Sequence, residues 1–100
     1  MGELRWTLQA ADELEAITEF IAADSPYYAN LFAINVFAAV ERLAMFPGSG
    51  RIVAEIEDPE VRETLSGSYR IIYRVRNDAV EVLTIYHCAR LLDPSRFIQE

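Results

Sequence analysis

Apolar and polar positions along the chain change period several times, and each change marks an element boundary. Leu4, Trp6 and Leu8 alternate with Arg5 and Thr7, the period of a half-buried strand over residues 4–8. From Ala10 the period becomes helical: Ala10, Leu14, Ile17 and Ile21 recur on one side while Asp12, Glu13, Glu15 and Glu19 face away. This predicts an amphipathic helix over residues 10–23, whose early acidic residues suit the positive end of the helix dipole. Asp24-Ser25-Pro26 ends that helix and begins another, because Ser25 can cap and Pro26 fits a first helical position. The second helix runs to about Phe46 and is apolar nearly all round, with Leu31, Phe32, Ile34, Val36, Phe37 and Val40 too widely spread for one narrow stripe. Such a helix is covered on more than one side. The first helix and a sheet can cover it within the chain, and a partner chain can cover what they leave.

Pro47-Gly48-Ser49-Gly50 breaks the helical pattern, and the remainder reads mostly as sheet. Residues 51–53 form a short extended piece, and residues 55–60 form an acidic loop. Strands follow over residues 61–65, 69–76 and 79–88, separated by a turn at Ser66-Gly67-Ser68 and a tight hairpin at Asn77-Asp78. Asn and Asp tolerate the left-handed backbone that such a hairpin demands. Residues 93–97 form a terminal helical turn or a loose tail. The fold class is α+β: an N-terminal strand, a helical hairpin, then an antiparallel sheet with the two helices packed on one face. The first strand has no tight turn to a neighbour, so it joins the sheet after the hairpin, at an edge or in the interior. A length of 100 residues leaves room for one domain over residues 1–100.

Composition narrows the function. With 52% apolar and 25% charged residues the chain has the makeup of a globular protein. The longest apolar stretch, residues 31–40, is too short for a membrane span, and no secretory leader pattern opens the chain, so the cytoplasm is the expected compartment. The single cysteine, Cys88, is expected as a small buried residue on the last strand. No phosphate-binding glycine loop or metal-ligand spacing occurs, and no cofactor or metal is expected. A net charge of −7 argues against a protein that grips nucleic acid through its phosphates. All nine basic residues are arginine, which favours planar, bidentate pairing over diffuse attraction.

Several phrases together resemble one family. These are Trp6 before Ala11-Asp12-Glu13-Leu14, Asp24-Ser25-Pro26 followed by Ala29, and Leu43-Ala44-Met45-Phe46-Pro47 followed by Gly50-Arg51. Arg62-Glu63 before Gly67-Ser68-Tyr69-Arg70-Ile71-Ile72-Tyr73-Arg74-Val75 belongs to the same series, as does Val82-Leu83-Thr84-Ile85-Tyr86-His87 with Arg90. In this order they resemble the ParE/RelE toxin superfamily, whose members are often described as plasmid stabilisation proteins. The resemblance implies the toxin of a type II toxin–antitoxin pair, held inactive by a cognate antitoxin whose disordered tail folds across it. Within the superfamily, RelE-like members cut messenger RNA on the ribosome and ParE-like members act on DNA gyrase. The histidine-using RNases of the superfamily carry their histidine one residue further along, where Cys88 stands. The ending Tyr86-His87-Cys88-Ala89-Arg90 is therefore closer to ParE, because one residue of offset in a strand turns a side chain to the other face.

Cutting RNA through its 2′-hydroxyl needs a general base, a general acid and cations at the phosphate. The candidates for target binding or such chemistry are Arg62, Arg70, Tyr73, His87 and Arg90, with Glu63 beside them. His87, the one histidine, can equally end a strand and bond a loop. Period two places Arg70 and Arg74 on the face of Ile72, where they can instead pair with Glu63, Glu81 or another carboxylate across the sheet. For antitoxin contact the candidates are Leu31, Phe32, Phe37 and Arg74. An antitoxin would lay an apolar helix beside the helical hairpin or add a strand to an open sheet edge. Glu13, Glu15, Glu19, Glu55, Glu57, Asp58 and Glu60 either form a solvated face or meet basic residues of that tail. The first reading is a non-enzymatic gyrase inhibitor, with antitoxin and gyrase as partners and neither membrane nor direct nucleic-acid binding. The alternatives are an endoribonuclease using Arg62, Arg70 and His87, and a binding module that has lost toxicity.

Overall fold

The computed structural model describes residues 2–98. Strand β1 (Glu3–Trp6) is followed by helices α1 (Leu8–Asp24) and α2 (Pro26–Met45), then by strands β2 (Arg51–Ile52), β3 (Val61–Ser66), β4 (Tyr69–Arg76) and β5 (Ala79–His87). Single 3-10 turns at Pro47–Ser49 and Pro94–Arg96 complete the order. The strands form one sheet in the order β1-β5-β4-β3-β2. β2 to β5 are an antiparallel meander, whereas β1 lies parallel to β5 and makes the sheet mixed. The N-terminal strand thus takes an edge, and the helical hairpin carries the chain to the opposite edge. Both edges are short, four residues in β1 and two in β2, which limits unpaired backbone.

Local chemistry sets the boundaries. Ser25 caps α2 by accepting from the Tyr28 N–H at 3.2 Å, with Pro26 at the first helical position. Asn77 and Asp78 take φ of 51° and 63°, the left-handed pair of a two-residue hairpin, and Gly67 takes φ of 57° in the β3–β4 turn. The first strand stops two residues earlier than its alternation predicts, because Thr7 is the N-cap of α1. Its Oγ1 accepts from the Ala10 N–H at 3.0 Å and donates to the Leu83 carbonyl at 3.0 Å. Leu8 consequently opens the helix and is exposed.

The two helices cover one side of the sheet. Ala10 and Leu14 from α1, and Val36, Val40 and Leu43 from α2, bury Ile71, Tyr73, Val80, Val82 and Ile85. A second, smaller cluster fills the other side, where Val53 and Phe97 close over Val61, Ile72 and Leu83. The C-terminal residues are therefore anchored by a buried Phe97 after their 3-10 turn.

A bulge in β5 lets that strand serve both clusters. Tyr73 stands opposite Val82 and Ile72 opposite Thr84, so Leu83 has no counterpart on β4 and turns to the second side. Glu13, expected to face away from the core, reaches in to hold this irregularity. Its Oε1 accepts from the Thr84 hydroxyl at 2.6 Å and from the Ile85 N–H at 3.1 Å. Cys88 is also corrected: β5 ends at His87, and Cys88 is exposed in the turn that follows. Among the described residues no helix is long and apolar enough to cross a membrane.

Replacing Thr7 by Ala removes both the cap of α1 and its tie to β5. The expected loss is about 1–2 kcal/mol in denaturant unfolding, with Thr7→Ser retaining most of the stability.

Candidate functional site

Strand alternation divides the candidate residues between the two sides of the sheet. Arg70 lies on the second side, away from the helices, where its Nε donates to Glu63 Oε1 at 2.5 Å. Its two terminal nitrogens donate to Glu55 Oε2 and Oε1, each at 2.9 Å. Arg51 Nε takes the other oxygen of Glu63 at 2.8 Å. A carboxylate as buried as Glu63, whose side chain is 5% exposed, requires such partners. The hydrogen bonds that Arg70 donates to Glu55, and then the one it donates to Glu63, raise its pKa further above the ordinary value, so its charge is permanent. The two arginines and two carboxylates satisfy one another and leave no uncompensated charge. Arg90 is on the same side, its guanidinium 5.1 Å over the ring of Tyr86, the residue opposite Arg70.

Arg62, Tyr73 and His87 lie on the helix side. Tyr73 is fully buried; its hydroxyl donates to the Pro47 carbonyl at 2.9 Å and accepts from the Gly50 N–H at 3.0 Å. Arg62 Nη1 donates to the Gly50 carbonyl at 2.9 Å. Arg62 and Tyr73 are thus brought together to grip the peptide groups that turn α2 into β2. A Cβ at Gly50 would overlap the Tyr73 hydroxyl and stand 2.6 Å from the Glu63 carbonyl, which explains the glycine. Burial raises the Tyr73 pKa and keeps the phenol protonated. His87 packs edge-on against Tyr69 at 5.0 Å, and its Nδ1 accepts from the Ala89 N–H at 3.0 Å, the strand-end role that its position allows. Arg62, Arg70 and His87 therefore do not converge. Among the described residues no group of three or more His, Cys, Asp or Glu side chains is placed to hold a metal ion.

What the helix side does present is apolar surface. A groove of about 480 Å³ runs between α1 and α2, floored by Trp6, Leu14 and Phe37 and opened by the small Ala11 and Ala33. Phe37 stacks against Trp6 at 5.8 Å. Glu15 and Glu19 form its rim on the α1 side. On α2, Leu31, Ile34 and Phe37 remain 40%, 54% and 49% exposed. Phe32 instead turns inward against Tyr69, at 5.1 Å. Of the residues expected to meet an antitoxin, Phe37 lines the groove, Leu31 is exposed on α2 and Phe32 packs against Tyr69, whereas Arg74 is on the other side of the sheet. Sequence reasoning missed Trp6, Ala11 and Ala33; the signal was small residues on facing helices, which leave a gap rather than a contact.

Comparison with known proteins agrees with this architecture. Residues 4–92 match the model of a family described as "ParE toxin of type II toxin-antitoxin system, parDE". The chain is 36% identical over 84 residues to "Putative toxin Y4kP" of Sinorhizobium fredii, covering 84% of this chain and 85% of that protein. It is 33% identical over 92 residues to "Toxin RelE2" of Caulobacter vibrioides, covering 91% of this chain and all of that protein. A solved structure described as "Chromosomal ParDE TA system from P. aeruginosa" superposes with a TM-score of 0.70 at 28% identity, covering 87% of this chain and 96% of that one.

Two expectations follow from the polar contacts. Tyr73→Phe strands the Pro47 carbonyl and the Gly50 N–H and costs about 1–3 kcal/mol. Gly50→Ala also destabilises, and the double variant loses less than the sum because the overlap with the hydroxyl is gone; chemical denaturation of all four proteins measures this coupling. The second expectation concerns pH. The hydrogen bond from Arg70 holds the Glu55 carboxyl below its ordinary value of 4.5. Its folded value is depressed, so its contribution is complete above 4.5 and disappears as pH falls through the folded value. Unfolding midpoints should therefore fall on acidification below that point, and Glu55→Gln should flatten that fall.

Proposed function

The chain belongs to the ParE toxin family of type II toxin–antitoxin systems, and from that premise we propose that it inhibits DNA gyrase by binding and is neutralised in the groove between α1 and α2. Membership makes it the toxin half of a pair whose other half is an antitoxin. The observation that carries the binding reading over an RNA-cutting one is the dispersal of Arg62, Arg70 and His87 to two sides of the sheet. Arg70 is held between Glu55 and Glu63, Arg62 grips Gly50, and Tyr73 is buried. A cleft of about 450 Å³ is lined by Arg51, Glu55, Glu63 and Arg70, but these groups are bonded to one another, and neither His87 nor Tyr73 lines it to supply an acid. The overall charge of −7 further opposes approach to a polyanion such as the ribosome.

The groove supports the antitoxin half of the proposal. Its floor is apolar, and α2 carries further exposed apolar side chains. An amphipathic helix with basic residues flanking its apolar stripe suits a cleft rimmed by Glu15 and Glu19. Covering Leu31, Ile34 and Phe37 would remove apolar surface from water at about 25 cal/mol per Å².

Induced expression separates the readings. The expected result is loss of negative supercoiling in plasmid DNA, with purified protein inhibiting gyrase in vitro and with messenger RNA intact at early times. Rapid messenger cleavage with normal supercoiling would overturn the gyrase proposal, and so would harmless expression of folded protein. For the groove, Phe37→Asp should weaken capture of the antitoxin encoded beside the toxin by at least about tenfold, as expected for loss of a central aromatic contact. Unchanged capture would refute the groove as the docking site.

A further inference from the structure

Arg74 has no role in the sites described above. It lies on the second side of β4, opposite Val61 of β3 and Glu81 of β5, with its side chain 14% exposed. Arg51, Arg70 and Arg76 each donate hydrogen bonds to a carboxylate. Arg74 donates none among the described residues. Its Nε is the one buried side-chain nitrogen or oxygen there without a hydrogen-bond partner. Its Nη2 stands 3.8 Å from Asp58 Oδ2, beyond hydrogen-bond reach. A guanidinium has five N–H donors and cannot shed its charge, so burying it without partners is costly unless something else supplies acceptors.

Space for an acceptor lies on both sides of it. One cleft of about 300 Å³ is lined by Arg74, Glu81, Thr7, Gln9, Leu83 and Phe97. A second, of about 190 Å³, is lined by Arg74 and Glu81 again, with Arg5 and Arg76 beyond them. Arg5 is paired with Glu3 and Arg76 with Glu60, so neither adds free positive charge.

We propose that Arg74 and its flanking clefts are a binding site for a single carboxylate group carried by a polypeptide. The charge balance selects the ligand class. Arg74 offers one weakly compensated positive charge, and Glu81 lines both clefts, so a phosphate dianion would face a fixed negative group. A carboxylate matches the planar fork of a guanidinium and brings only one negative charge. Glu81 can then accept from a donor beside that carboxylate, such as a peptide N–H. Leu83 and Phe97 give the larger cleft an apolar wall suited to the aliphatic part of a residue. The carboxylate can be an acidic side chain or a chain terminus. The site is on the opposite side of the sheet from the helical groove and does not depend on how that groove or the toxin's target is read.

The test follows the arginine Nε–H resonances of the 15N-labelled protein, assigned through Arg74→Gln. Four probes are titrated: acetate, a capped Gly-Glu-Gly peptide, an N-acetylated triglycine with a free carboxylate, and inorganic phosphate. The expected result is a saturable shift of the Arg74 signal with a carboxylate peptide, several-fold tighter than with phosphate and absent in Arg74→Gln. The two peptides distinguish a side chain from a chain terminus as the source. Glu81→Gln, which keeps Arg74 in place, should bind acetate several-fold more tightly, and Arg90→Gln should leave every titration unchanged. Tighter binding of phosphate than of any carboxylate overturns the ligand class. Absence of saturable binding by all probes, in the parent and in Glu81→Gln, means that water alone satisfies Arg74 and overturns the site.

Discussion

The junction between β1, α1 and β5 is the constraint on which the rest of the molecule depends. β1 pairs with only the first four residues of a nine-residue β5, so the rest of that edge must be satisfied by something other than a strand. Side chains of α1 and its cap supply the answer. Thr7 takes the Leu83 carbonyl, and Glu13 takes the Ile85 N–H and the Thr84 hydroxyl. These bonds fix how α1 lies over the sheet, and hence the gap between α1 and α2. They also hold the bulge that turns Leu83 to the second side, where it meets Phe97 and walls the cleft beside Arg74. The helical groove and the clefts beside Arg74 thus trace to one short edge strand.

Charge is sorted as sharply as apolar surface. Arg5, Arg51, Arg70 and Arg76 are bonded to carboxylates of the same chain, Arg62 to a backbone carbonyl, and Arg90 lies over an aromatic ring. The partners come largely from the acidic loop before β3, where Glu55, Asp58 and Glu60 approach Arg70, Arg74 and Arg76 in turn. On α1, by contrast, Asp12, Glu15 and Glu19 stay exposed and form no ion pair among the described residues. Two of these, Glu15 and Glu19, rim the helical groove. The arginine-rich strand is close to neutral, which deprives it of the long-range attraction that a polyanion would need.

Local rules recovered the elements and failed where two elements meet. The Ser25-Pro26 start of α2 and the Asn77-Asp78 hairpin follow from capping and backbone preferences and could be read directly. The ends of β1 and β5 could not. Thr7 acts as a cap because Leu83 and Ala10 lie within reach, and Glu13 turns inward because β1 ends at Trp6 and leaves the Ile85 N–H of β5 without a strand partner. Neither fact is local. The parallel pairing of β1 is equally a product of tertiary contact. For the site, period two placed Arg70 and Arg74 correctly on one side of β4, and the pairing of Arg70 with Glu63 was among the foreseen alternatives. For Arg74 the register puts Glu81 opposite it, yet the ion pair it forms is a long one, 3.8 Å to Asp58 of the acidic loop, one of the other carboxylates left open.

Parity along the strands explains how one fold can separate binding from chemistry. Successive residues of β3 and β4 point to opposite sides, so Arg62 and Glu63 are divided by the sheet, as are Arg70 and Tyr73. A reactive cluster on this framework needs its members on the same parity and at the same end. Here the helix-side members are committed to the α2–β2 turn: Tyr73 and Arg62 hold the Gly50 peptide groups, and a Cβ there would collide with the phenol. The second-side members are committed to one another through Glu63. Recruiting any of them for proton transfer would first require breaking a buried hydrogen bond, at a cost of about 1–3 kcal/mol per orphaned group. Outside these bonds the helix side offers the apolar groove between α1 and α2, and the second side offers the clefts that flank Arg74.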